Sequence, residues 1–160
     1  MTIHKLNIDD FDEIDYDLIA IHTSLEDYRL AFLINQNLPI LLSRSNQPTT
    51  FYTEDGEVNL LKYVFEDEYS DSIWTLIQNK KSLETLTSNT TTSLFDEQAS
   101  LISKMVYLLP EFKKVDYFLK IENGVENSNN IINLINKIDK VSTVYTIDVE
   151  HIKSKNNLIF

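Results

Sequence analysis

No cysteine occurs among the 160 residues, which excludes disulfides, thiolate nucleophiles and cysteine-ligated zinc or iron–sulfur centres. Glycine is nearly absent too. Its two occurrences, Gly56 and Gly124, stand 68 positions apart. A dinucleotide fingerprint takes three glycines within one short loop and a P-loop takes two ahead of Lys-Ser/Thr, so neither phosphate cradle can be built. Arginine is limited to Arg29 and Arg44, set against 25 carboxylates, and the formal net charge is −11. Phosphate backbones are gripped by Lys and Arg, so nucleic acid is not an expected partner, and anionic membrane surfaces repel such a chain for the same reason. No apolar run approaches the roughly 20 residues of a bilayer crossing. The opening residues, Met1 to Asp9, run into acidic side chains before an apolar segment develops, unlike a secretory signal. A cytoplasmic location is the expectation.

What is present reads as one α+β domain over residues 1–160. The acidity is unevenly placed, with 15 acids against 5 bases in residues 1–80 but 10 against 9 in residues 81–160. Six acids crowd residues 9–17 and read as a solvated lead-in, because the spacing of a calcium loop is absent. A strand is predicted at 16–22. Ser24 and Asp27 then make a Ser-x-x-Asp capping pattern for a helix whose apolar face carries Leu25, Tyr28, Ala31, Phe32, Ile34 and Leu38 and which Pro39 stops. Ile40-Leu41-Leu42 reads as the returning strand.

Asp55-Gly56 predicts a type I′ hairpin joining Thr49–Glu54 to Glu57–Phe65. The second of these strands carries Leu60 and Val64 on one face and Leu61, Tyr63 and Phe65 on the other. Something should cover part of the second face, and a partner subunit is one candidate. A strand follows at Ile73–Ile77. Residues 82–100, crowded with Ser and Thr, read mostly as an exposed loop. Met105–Leu109 is a strand, Pro110–Lys114 one tight turn, and Val115–Ile121 a strand again. Asn127-Ser128-Asn129 caps a second helix with Ile131, Leu134, Ile135 and Ile138 on one face, and Val141–Val149 closes the pattern. Strand–helix–strand units at both ends around a strand-rich insert predict a mostly antiparallel sheet with two helices on one face, a ferredoxin-like variant.

Chemistry is sparse. His4, His22 and His151 are scattered, no metal site is expected, and no cofactor is implied. His22, Ser24 and Asp27 contain the residue types of a nucleophilic triad, but capping already uses two of them, so no catalytic residue is assigned. Arg29, at the edge of the first helix's apolar face, is suited to holding a carboxylate of this chain or of a ligand.

The segment Leu109-Pro110-Glu111-Phe112-Lys113-Lys114-Val115-Asp116-Tyr117 resembles the signature of the IPExxxVDY family of Bacteroidetes. Pro110, Glu111, Val115, Asp116 and Tyr117 match, Leu109 replaces the leading Ile, and Asp27-Tyr28-Arg29-Leu30 is similar to the family's early pattern. The resemblance implies a bacterial cytoplasmic protein and transfers no catalytic residue. As architecture, Pro110 and Glu111 start the turn, Val115 and Tyr117 enter the core, and Asp116 faces the other way toward Lys113, Lys114 or a loop amide. As chemistry, Arg29, Glu111, Asp116 and Tyr117 gather around a polar pocket of a small-molecule enzyme or sensor. The leading expectation is a non-catalytic interaction or regulatory module whose partner is a second copy in a homodimer or an unidentified protein.

Overall fold

The structure, a computed structural model, describes residues 15–87, 100–124 and 127–160. Those residues form Tyr16–Thr23 (β1), Asp27–Asn37 (α1), Ser43–Arg44 (β2), Thr49–Thr53 (β3), Gly56–Leu60 (β4), Lys62–Asp67 (β5) and Ser72–Gln78 (β6). They continue through Lys80–Thr87 (β7), Ser100–Tyr107 (β8), Tyr117–Glu122 (β9), Ser128–Asn136 (α2) and Val141–Ile147 (β10). Six strands pair antiparallel in the order β10-β1-β9-β6-β5-β2, while β3 with β4 and β7 with β8 make two separate hairpins. The fold is α+β, with both helices on one face of the main sheet.

Period-two alternation divides the inner strands between two cores. Ile19 and Ile21 of β1 and Tyr117, Leu119 and Ile121 of β9 pack toward the helices, against Leu30, Ala31 and Ile34 of α1 and Ile131 and Ile135 of α2. Leu18, Ala20 and Phe118 face the opposite way, into a second core closed by Phe51, Val58, Val106, Ile152 and Leu158. Strands buried on both faces need near-continuous apolar runs, and Leu18–Ile21 is such a run. The same principle accounts for the strand-rich insert. Tyr63 and Phe65 join the helix-side core and Leu60 the other, so the chain itself covers much of the two apolar faces predicted around residues 60–65, while Leu61 is exposed and Val64 lies half-buried in an open groove.

Several local expectations are corrected. Helix α1 begins at Asp27 with Glu26 as an N-cap that makes no side-chain cap bond, so the Ser24–Asp27 capping pattern does not form. Thr23 is the cause: its hydroxyl accepts from the Leu25 amide and donates to the Lys140 carbonyl, holding the segment out of helix until Leu25 is seated in the core. The buried stripe becomes Leu30, Ala31 and Ile34, and Tyr28 and Phe32 are left 58% exposed. Two apolar stripes compete on this helix, and the sheet takes the compact aliphatic one.

Ile40–Leu42 is not a strand. The Asn35 side chain exchanges two hydrogen bonds with the Leu42 backbone, at 2.8 and 2.9 Å, occupying the groups a strand neighbour would use. Pairing begins only at β2, on the far edge of the sheet from β1. The predicted strand 57–65 breaks at Leu61 into β4 and β5, which belong to different sheets. The Asp55-Gly56 hairpin forms, but only Gly56 has positive φ, +114°, so the turn is not type I′; Glu54-Asp55 turn first and Gly56 takes the unusual φ as the next strand starts. Residues 82–87 and Ser100, predicted as part of a loop, are strand, and residues 88–99 lie outside the described residues. So do residues 9–14 of the acidic lead-in.

Candidate functional site

The PExxxVDY segment lies at the crossing of β1, β6, β7 and β9, and its organiser is Asn79, in the one-residue link between β6 and β7. Asn79 is 0% exposed. Its Nδ2 donates to the carbonyls of Phe112 (2.9 Å) and Val115 (3.0 Å), while Oδ1 accepts from the Leu109 amide at 2.9 Å. Its backbone amide donates to the Asp116 carbonyl and its own carbonyl accepts from the Leu108 amide. The tight turn Pro110–Phe112, set by proline at its first position, is thereby closed from inside by one amide side chain.

Asp116 ties the end of β1 to this clasp. Its Oδ2 accepts from the Thr23 amide at 3.0 Å, and Oδ1 pairs with the Lys80 ammonium at 2.8 Å. The cation is thus Lys80 rather than the predicted Lys113 or Lys114, and the backbone amide that Asp116 accepts from belongs to the last residue of β1 rather than to a loop. Tyr117 turns to the helix side, where its hydroxyl donates to the Leu25 carbonyl at 2.8 Å. Burial, together with the nearby carboxylates of Asp27 and Asp116, pushes that phenol well above its ordinary range. Glu111 points toward the C-terminal segment, its carboxylate accepting from both the amide and the hydroxyl of Ser154. Burial would raise its pKa, but the bonds from Ser154 outweigh that and hold it below its ordinary value.

These residues do not converge on one pocket. A shallow groove of about 360 Å³ is lined by Pro110–Val115 and Tyr145, and Asp116, Tyr117 and Arg29 are not part of its wall. Arg29 makes no ion pair among the described residues, and the Tyr28 beside it is largely exposed rather than in the apolar face. His22 bonds the Tyr145 hydroxyl at 3.2 Å and stacks on its ring, so it forms no dyad with Ser24. A larger groove of about 480 Å³ runs along β2 and β5 beneath Phe160, bringing Lys62 near Glu66 and Glu122. Buried beside it is Lys120, 4% exposed, paired with Glu122 at 2.9 Å, donating to the Leu158 carbonyl and capped by the rings of Tyr16 and Phe160. Burial and the charge of Lys120 lower the pKa of Lys62. With acids and bases balanced, this groove selects neither an anion nor a cation. Among the described residues no cluster of His, Asp and Glu has metal-holding geometry, and no helix is long and apolar enough to cross a membrane.

The chain matches no protein-family model, no curated protein and no solved structure.

The geometry is that of a junction. Sequence reasoning singled out Glu111, Asp116 and Tyr117 but missed Asn79, Thr23, Lys80 and Lys120. No local pattern marks Asn79, because its three partners lie 30 to 36 residues further along the chain.

Proposed function

We propose that this protein is a non-catalytic interaction or regulatory module of the cytoplasm, related to the IPExxxVDY family, with the PExxxVDY segment serving as its structural clasp. One observation carries the reading: each polar group of Glu111, Asp116 and Tyr117 that a catalyst would present to substrate is bonded inside the chain, to Ser154, to Thr23 and Lys80, and to the Leu25 carbonyl. A general acid or base has to reach a reacting group, whereas these reach the backbone and side chains that hold β1, β9 and the C-terminal segment together. The surface supplies contact area instead, with Tyr28 and Phe32 on α1 and Leu101, Ile102 and Met105 on β8 exposed.

A thermal-shift screen against metabolites tests this. Glu111→Gln and Asp116→Asn should lower Tm, and no compound should stabilise the parent protein through these side chains. A metabolite that raises the parent Tm and loses its effect in Asp116→Asn or Arg29→Ala would replace the module with a ligand-binding enzyme or sensor.

A further inference from the structure

The two outer edges of the main sheet are built differently. On one side β2 is two residues long and the part of β5 that extends beyond it carries Glu66 and Asp67, which discourages another strand from adding there. On the other side β10, Val-Ser-Thr-Val-Tyr-Thr-Ile, has seven residues and neither charge nor proline. The α2 helix packed on it, Ser-Asn-Asn-Ile-Ile-Asn-Leu-Ile-Asn, is uncharged as well, in a chain with 14 basic and 25 acidic residues. Natural edges are normally protected by charge, proline or brevity, and β10 has none of these.

Its hydrogen-bonding pattern is defined by the neighbouring strand. The Asp116 amide donates to the Ile21 carbonyl, which therefore points toward β9; alternation along β1 turns the peptide groups of Leu18 and Ala20 toward β10. Leu18 pairs with Ile147 and Ala20 with Tyr145, so the N–H and C=O of Val144 and Thr146 face outward. Charges flank the strand asymmetrically. Lys137 and Lys140, with Asp139 between them, stand at its start, and Asp148 and Glu150 stand at its end, all exposed.

We propose that β10 is a homodimer interface, pairing antiparallel with β10 of a second copy about a two-fold axis at Tyr145. Val144 of each copy then exchanges two hydrogen bonds with Thr146 of the other, four in all, and the two Tyr145 residues form the central non-hydrogen-bonded pair. The antiparallel arrangement brings the turn before β10, with Lys137 and Lys140, toward the turn after β10 of the second copy, with Asp148 and Glu150, at both extremities. This self-complementarity selects a copy of this chain over an unrelated strand. The interface also lies in the half of the chain whose charges nearly cancel, where two molecules of net charge −11 approach at least cost. The proposal rests on the reading of the protein as an interaction module.

The lack of native cysteine makes the test direct. In a non-hydrogen-bonded antiparallel pair the Cα atoms are about 4.5 Å apart, within disulfide range, so oxidation of the single-cysteine variant Tyr145→Cys should give a covalent dimer and Leu61→Cys should not. Light scattering of the parent protein should show a concentration-dependent dimer. Thr146→Pro removes an outward N–H that has no partner among the described residues, so circular dichroism should stay unchanged while dimerisation weakens about thirtyfold, two of the four bonds being lost. A protein monomeric at every concentration, or a dimer indifferent to Thr146→Pro with no Tyr145→Cys cross-link, overturns the proposal. Capture of a different protein through β10 by a monomeric chain also overturns it, yet leaves the module reading standing; that reading fails separately, on ligand stabilisation through Asp116.

Discussion

Replacing Asn79 by alanine removes the bridge from β6–β7 to the tight turn and leaves the carbonyl of Val115 and the amide of Leu109 without partners, while the Phe112 carbonyl keeps only its bond from the Val115 amide. Leu109 and Val115 are themselves buried, at 0% and 1% exposure, so water does not reach these groups without opening the clasp. Each buried orphan costs about 1–3 kcal/mol, and partial relaxation brings the sum for the two to about 2–4 kcal/mol, a large share of the 5–15 kcal/mol by which domains are ordinarily stable. Urea denaturation followed by the fluorescence of the single tryptophan, Trp74, measures it. The midpoint should fall with little change in slope, and hydrogen exchange at the Leu109 amide should accelerate far more than exchange in β1. Asn79→Asp should be no milder near neutral pH, because it retains the acceptor but loses both donors and buries a charge. A loss below about 1 kcal/mol for Asn79→Ala, or unchanged exchange at Leu109, would show that the turn is held by its own packing and refute the clasp.

Other outcomes follow from the same geometry. Leu30→Ala should cost about 2–5 kcal/mol in denaturant melts and Tyr28→Ala clearly less, because only Leu30 leaves a cavity; a reversal would return α1 to the orientation read from its aromatic stripe. Tyr117→Phe should lose about 1–2 kcal/mol by orphaning the Leu25 carbonyl. In ultraviolet titration of the parent protein, Tyr117 should ionise only at higher pH than the exposed tyrosines, since its pKa is raised. Glu111 has a folded pKa below its ordinary 4.5, so its contribution is complete above that value and lost as pH falls through the lower folded pKa. Acid denaturation of Glu111→Gln should therefore be shallower across that window than that of the parent, and identical profiles would count against the Ser154 contact.

The sequence was most informative where a residue's role is set by near neighbours. The runs Leu18–Ile21 and Tyr117–Ile121, the Asn127 cap and the Pro110 turn all depend on residues a few positions apart, and each appears where the pattern placed it. The errors come from distant partners. Thr23 is committed to Lys140 and Asp116, which delays α1, and Asn35 takes the backbone of Leu42, which removes a strand. In the candidate site, Glu111, Asp116 and Tyr117 were visible as polar residues in a motif. Their divergence toward the tail, the end of β1 and the helix layer was not, because strand alternation separates neighbours in sequence to opposite faces of a sheet.

The position of β1 also has a consequence for how the chain reaches its native state. The first strand of the main sheet finds its two neighbours in β9 and β10, roughly a hundred and more residues later. During synthesis Leu18–Ile21 must wait, unpaired and apolar, until most of the protein has emerged. Contacts of such sequence separation make folding slow and expose the nascent strand to wrong pairings in the meantime. The acidic residues just ahead of it would then act before any native structure exists, keeping an early, adhesive segment apart from its copies on neighbouring ribosomes.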